Sequence, residues 1–238
     1  VTGIDPSPVV AKIANKNGLY TICNFLSNKA ISAAIKKNGK AKLICGNNVF
    51  NHIEKINEAV LAIKSGLKSN GFLIIEVPSL RDTIQKYLFD MIFHEHVSTF
   101  SIKSIDYLLK RHDLYIANIE NIPYHGGSLR IYASSDPKKY SKDVNKYIKH
   151  EEKDKLFHTV TYKKFMSKII KDKNNVLAKI YSLKKKGKKI AAVGAGARSN
   201  TLLNFYKLDA SVIDFITDAS KHKIGKFTLG SNIEVKSD

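Results

Sequence analysis

The residues best suited to chemistry are His94-Glu95-His96, two imidazoles bracketing a carboxylate, preceded by Ile92 and Phe93. Imidazole is the side chain best suited to moving protons near neutral pH. The stretch follows a strand pattern, Phe72 to Val77, and a turn at Pro78. Strand ends of α/β sheets are where such groups meet ligands. His52, after the preceding strand pattern, could converge on the same crevice, although alone it reads more simply as a satisfied polar residue. General acid–base work is the favoured reading. An extended backbone would put His94 and His96 on one side and Glu95 on the other. A metal held by His52, His94 and His96 is the alternative, but HxH in a loop is a weak signal and no further carboxylate completes the set.

Other groups could bind rather than react. Asp5 closes a strand-like opening, Val1 to Ile4, and Ser7 follows. An acid in that position commonly takes ribose hydroxyls, and capping of the next helix is an equal alternative. Gly46-Asn47-Asn48 is a turn that tolerates the backbone angles of a ligand-hugging loop. Gly126-Gly127 lets the backbone approach a ligand closely, although a plain turn is the commoner case. Gly194-Ala195-Gly196 follows a strand pattern and could bring helix-terminal amides to a phosphate. Ser199 stands where the dinucleotide fingerprint needs its third glycine, so a nicotinamide site is only weakly indicated.

The elements that must position these groups alternate between strand and helix, which predicts an α/β fold with a mostly parallel, helix-covered sheet. Helices are expected from Pro8 to about Asn15, Ile53 to Ser69, Ser101 to Arg111, and from Arg198 to Leu208. Strands are expected at Leu19 to Phe25, Ala41 to Cys45, Phe72 to Val77, Leu114 to Ile122, Ser128 to Ala133, Lys189 to Val193 and Val212 to Ile216. The organisation expected is a first domain over residues 1–135, a lysine-rich helical linker over 136–188 and a second, smaller Rossmann-like domain over 189–238. A chain that opens on an acid-ending strand lacks the strand and Gly-rich loop that normally precede one, so the sequence is expected to begin inside a fold.

Length and composition narrow the classes further. No apolar run approaches a membrane span. The two cysteines, Cys23 and Cys45, have no CxxC spacing, which argues against a disulfide framework or a cysteine zinc site. A reducing cytoplasm fits best. The net charge of +19 is carried mostly by lysines spread along the chain rather than grouped with aromatics, so a nucleic-acid partner is disfavoured. A basic surface would still steer a small anionic substrate.

Taken in order, the segments Gly3-Ile4-Asp5-Pro6-Ser7, Asn48-Val49-Phe50-Asn51-His52, Ile75-Glu76-Val77-Pro78, His94-Glu95-His96, His125-Gly126-Gly127-Ser128-Leu129-Arg130, Gly194-Ala195-Gly196-Ala197 and Asn200-Thr201-Leu202-Leu203-Asn204 resemble the sugar C-methyltransferase family. These are S-adenosylmethionine (SAM) enzymes that methylate a carbon of a nucleotide-linked keto sugar. The resemblance covers nearly the whole chain. It implies a partial class I methyltransferase sheet followed by the second Rossmann-like domain, with any zinc confined to a cysteine-rich module ahead of this sequence. It further implies His96 as general base, Glu95 and His52 as groups shaping the site, and SAM held by Asp5, Ser7, Asn47 and Asn48. The nucleotide-diphosphate sugar would meet His94, His125, Gly126, Gly127, Ser128 and Arg130, and Gly194, Gly196, Arg198 and Asn200 of the second domain. No metal is implied at the methyl-transfer site. Phe93 stands where the family usually has tyrosine. The competing readings are an NAD-dependent oxidoreductase using Gly194 and Gly196, and a basic nucleic-acid-binding protein without catalysis.

Overall fold

Strand β4 (Leu67–Pro78) organises the first half of the chain, because its run Phe72-Leu73-Ile74-Ile75-Glu76-Val77 is apolar except for Glu76. Such a run suits a strand covered on both sides, and Leu73, Ile75 and Val77 have no exposed surface. The computed structural model describes all 238 residues and divides into two compact units, Val1–Asp82 with Val97–Phe157, and Thr83–His96 with His158–Asp238.

In the first unit, β1 (Gly3–Asp5), α1 (Pro8–Lys16), β2 (Thr21–Cys23), α2 (Asn28–Asn38), β3 (Ala41–Asn47) and α3 (Ile56–Gly66) lead into β4. The helix α4 (Leu80–Gln85) follows, then α5 (Ile102–Lys110), β5 (Tyr115–Ile122), β6 (Ser128–Ser134) and α6 (Asp143–Lys153). β1 pairs with β2 in parallel as a separate ribbon, while the main sheet runs β3-β4-β6-β5. β3 and β4 are parallel, and β6 is antiparallel to both β4 and β5. The core is built from β4, β5 and β6 with Val60 and Ile63 of α3 and Ile105 and Leu109 of α5.

Local signals explain the helix starts. Ser7 accepts the Val10 N–H ahead of a proline at the first helical position, which suits α1. Ser101 and Ser104 form a reciprocal capping box at α5. Two further amides of α5, Ile102 and Lys103, donate to the Glu151 carboxylate of α6 at 2.6 and 3.1 Å. The charge sits at the positive end of the helix, and this places α6 against the first unit's core through Val144, Tyr147 and Ile148.

Two sequence expectations need correction here. The helix expected to run to Ser69 stops at Gly66, because the chain turns extended at Leu67 to enter β4, and a side chain at position 66 would meet Ile31 of α2 at 2.8 Å. Asn70-Gly71 lies inside β4, where the register against β3 shifts between Ala41 and Leu43. Helix α2 itself, capped by Ser27, had no counterpart among the expected elements.

The second unit carries the helix α7 (Thr159–Lys185), then β7 (Ala191–Val193), α8 (Ala197–Tyr206), β8 (Phe215–Thr217) and β9 (Val235–Lys236). Its three strands are parallel in the order β7-β8-β9, so β7-α8-β8 is a βαβ unit. Leu203, Leu208, Ile213, Ile216 and Ile233 form its core, with Leu177 and Ile180 of α7 packed against them. No helix is long and apolar enough to cross a membrane.

Candidate functional site

The histidine stretch belongs to the second unit and is anchored there by side chains. Asp90 forms an ion pair with Arg198 of α8 at 2.6 Å, and the Phe89 ring lies 4.3 Å from that of Phe205. Tyr87 stacks on Phe165 of α7 with ring centroids 6.0 Å apart. The backbone then turns. The His96 N–H donates to the Phe93 carbonyl at 2.9 Å, so residues 94–96 do not meet the condition of an extended backbone that would put His94 and His96 on one side. The physical reason is this turn bond together with a second one, between His96 Nδ1 and the Met91 carbonyl at 2.8 Å.

That second bond fixes the imidazole's chemistry. A carbonyl oxygen only accepts, so Nδ1 is the protonated nitrogen and the neutral ring carries its lone pair on Nε2. The Phe93 ring, 4.0 Å away, packs against the same imidazole. His96 is thus half-buried, with its ring orientation fixed. Its neighbours differ, for the His94 side chain is 86% exposed, Glu95 is exposed, and the two stand 3.8 Å apart. No three His, Cys, Asp or Glu side chains are grouped to hold a metal ion.

The other expected groups of the second unit surround the β7–α8 loop. Gly194 has φ of 87° and donates its N–H to the Thr217 carbonyl at 2.7 Å. Gly196 caps α8 without a side chain. The Ala195 N–H is taken by Asp218 Oδ2 at 2.8 Å. The Lys223 ammonium, then the Ser220 and Ala195 amides, hold the Asp218 carboxyl below the usual carboxylate range. Arg198 is engaged by Asp90, and the Asn200 Oδ1 is buried without a partner.

In the first unit, the expected cofactor groups stand at the carboxyl ends of β1 and β3. Asp5 Oδ1 accepts the Ser7 N–H at 2.8 Å, while the Ser7 hydroxyl serves as the helix cap. Asn47 ends β3, and Asn48 adopts φ of 51° with its N–H given to the Glu76 carbonyl at 2.8 Å. Asn48 Oδ1 is buried without a partner. His52 is exposed at the end of the short 3-10 turn Phe50–His52. Between them lies a residue that sequence reasoning did not single out as a site group. Asn51 is 2% exposed, and neither Oδ1 nor Nδ2 of its side chain has a partner. A buried amide with both ends unmet is rare and asks for an explanation. A polar residue beside Phe50 in this loop was the only signal available.

The remaining group lies around β6. His125 has φ of 54°, and Gly127, with φ of 145°, packs so close to Asp82 that an added Cβ would lie 2.5 Å from its carboxyl carbon. Only glycine fits there. The Ser128 hydroxyl donates to the Tyr124 carbonyl at 3.1 Å. Arg130 donates twice to Glu76 of β4, at 3.0 and 2.8 Å, and stands 3.6 Å from Glu120 of β5. The structure therefore gives Arg130 an ion-pair partner on each neighbouring strand.

In the first unit the unmet polar atoms near a strand end are those of Asn48 and Asn51, both just after β3. The model of a methyltransferase domain matches residues 1–119, and that of the C-methyltransferase C-terminal domain matches residues 123–238. The chain belongs to the methyltransferase family whose domain model matches its first half, residues 1–119. It is 28% identical over 239 residues to the C-methyltransferase NovU of Streptomyces niveus, a match covering 100% of this chain and 57% of that protein. The chain thus spans a little over half the length of this curated relative. Similar solved structures include an S-adenosylmethionine-dependent methyltransferase from Clostridium acetobutylicum, 15% identical with a TM-score of 0.42, covering 56% of this chain and 74% of that one. Another is magnesium protoporphyrin IX methyltransferase from Synechocystis with bound SAH, 16% identical with a TM-score of 0.42, covering 56% and 63%.

Proposed function

We propose that the complete protein transfers a methyl group from SAM to a carbon of a nucleotide-linked keto sugar, in the cytoplasm, with His96 as the base. The observation that carries this reading is the Nδ1 bond from His96 to the Met91 carbonyl, which leaves Nε2 as the basic nitrogen. Phe93, which removes a hydroxyl that the family usually has, packs on the ring and helps to hold its plane.

The first unit's free polar atoms suit the cofactor. Asp5 uses one carboxylate oxygen on the Ser7 amide, and the other is suited to ribose hydroxyls. Asn48 Oδ1 and the Asn51 amide are assigned to the same ligand, with Asn47 and Ser7 at its margins, because burial without a partner is costly in the absence of one. When bound, the cofactor supplies an electrophilic sulfonium methyl. His96 Nε2 takes the proton from the carbon beside the keto group, which that carbonyl acidifies, and positioning supplies much of the remaining rate. Glu95 and His52 shape the surroundings of the base. His94, His125, Gly126, Gly127 and Ser128 are assigned to the nucleotide sugar. Arg130 and Arg198 act as positioning residues through Glu76 and Asp90. The β7-α8-β8 unit serves as the Rossmann-like domain, with Gly194, Gly196 and Asn200 facing the nucleotide.

The test uses the complete protein and two readouts. In deuterated water without cofactor, the wild type exchanges the acidic sugar proton, and His96→Ala loses this exchange along with methyl transfer, by about 10²–10⁴-fold. SAM binding, followed by calorimetry, stays within a few-fold. Exchange and turnover at the wild-type rate in His96→Ala would remove the base assignment.

A further inference from the structure

The Met91 carbonyl that takes the His96 Nδ1 proton belongs to a single 3-10 turn, Phe89–Met91. Within it, the Met91 N–H donates to the Leu88 carbonyl at 3.1 Å and the Ile92 N–H to the Phe89 carbonyl at 3.0 Å. One turn of this kind has little stability of its own, because fixing its backbone costs more than so few bonds return. Its direction must come from side chains packed elsewhere. Two consecutive ones are held by α8. Asp90 Oδ2 accepts from both Nε and Nη2 of Arg198, each at 2.6 Å, and the Phe89 ring lies 4.3 Å from that of Phe205. We infer that Phe89 and Asp90, through Phe205 and Arg198, are positioning residues that select which nitrogen of His96 carries the proton.

Arg198 and Phe205 are seven residues apart in α8, which puts them on one face of the helix and about 10 Å apart along it. Two anchors at that spacing fix the turn's angle as well as its place. The first is a charge-assisted pair whose carboxylate side chain is only 19% exposed, so water screens it little. The second is itself braced, since Lys173 of α7 donates to the Phe205 carbonyl at 2.6 Å and its ammonium lies 4.5 Å from the ring centroid. Phe93 does something different. Its ring, 4.0 Å from the imidazole, sets the plane and leaves the choice of nitrogen open. Once the Met91 carbonyl turns away, a neutral imidazole can hold its proton on either nitrogen. The kinetic consequence rests on the proposed role of His96 as base, whereas the choice of tautomer does not.

The test reads the tautomer and the chemistry separately. Histidine-selective 15N labelling of the complete protein, with the His96 signals assigned by their loss in His96→Gln, reports the protonated nitrogen at a pH where the ring is neutral. The wild type should show the proton on Nδ1. Arg198→Met should move the population toward Nε2, and so should the isosteric Asp90→Asn, which covers the case that Arg198→Met does not fold. Arg198→Lys, which keeps the charge, should stay near the wild type. Lys184→Met, which breaks another ion pair of the same unit, with Asp214 at 3.4 Å, should leave the tautomer unchanged. Sugar-proton exchange in deuterated water should fall in kcat by up to about 10²-fold in Arg198→Met and Asp90→Asn, with KM within a few-fold. A wild-type tautomer in folded Arg198→Met or Asp90→Asn would overturn the inference, and so would a rise in KM alone, which would make Arg198 a substrate ligand. A shifted tautomer with undiminished exchange would support the inference and remove the base assignment instead.

Discussion

Replacing Asn51 by alanine should make the ligand-free protein more stable and the liganded one less so. The side chain is 2% exposed, and both polar ends lack partners, whereas its backbone carbonyl accepts the Ser98 N–H at 3.2 Å. A buried polar atom without a partner costs about 1–3 kcal/mol, so the two together cost at least about 2 kcal/mol. Removing the amide leaves a small cavity costing about 1 kcal/mol. The net gain, about 1 kcal/mol, corresponds to a rise of about 2–4 °C in melting temperature for a chain of this size. Binding reverses the ranking. SAM at one hundred times its Kd adds about 2.7 kcal/mol to the wild type, and a tenfold weaker variant gains only about 1.4 kcal/mol. Calorimetric melts of both proteins, with and without SAM, measure all four values. A fall of several degrees in the ligand-free variant would refute the claim that the amide is unmet. An unchanged SAM-induced shift would refute its assignment to the ligand.

Two further perturbations probe groups that position the sites. Arg130→Met strips Glu76, 5% exposed, of its guanidinium and leaves a buried carboxylate uncompensated. Its melting temperature should therefore fall further than that of Arg130→Met combined with Glu76→Leu, and a double variant as unstable as the single one would contradict this. Glu151 offers a pH test, because burial raises its carboxyl above the ordinary value despite its two amide partners. A raised acid binds more protons folded than unfolded, so its contribution is fully present below the unfolded pKa and is lost as pH rises through the folded one. The urea midpoint of the wild type minus that of Glu151→Gln should decline across this window, and a difference that rises with pH would show the sign to be wrong.

What the sequence could reveal depended on how local each cause is. The caps at Ser7 and Ser101 sit next to the helices they start, so α1 and α5 are legible with nearly their observed bounds. The apolar run of β4 announces a buried strand without any knowledge of its neighbours. The end of α3 is different. Leu67 continues the helical period, and only its pairing with Ala41 of β3 in the folded sheet takes it out of the helix. Arg130 is a similar case. Its type suggests a ligand group, but the register that sets it opposite both Glu76 and Glu120 exists only in the folded sheet. At the histidine stretch, residue types suggest the base, while the turn and the Met91 bond that select its nitrogen arise from folded contacts.

The β7–α8 loop bears on the choice between methyl and hydride transfer. A dinucleotide reading asks the first amides of α8 to meet a pyrophosphate. Here the Ala195 N–H, in the loop just ahead of α8, meets an anion, Asp218 Oδ2 at 2.8 Å, and that carboxylate is itself held by Lys223 at 2.9 Å. A phosphate entering at the Ala195 amide would have to displace a charge-paired carboxylate held well within hydrogen-bonding distance. Gly194 has a purely conformational task in this arrangement, since φ of 87° lets its own N–H reach the Thr217 carbonyl while the loop closes over the strand end. Gly196 remains open above the helix, and Asn200 below it keeps an unmet oxygen. An unmet acceptor seeks a donor, such as a hydroxyl or an amide, rather than a phosphate oxygen.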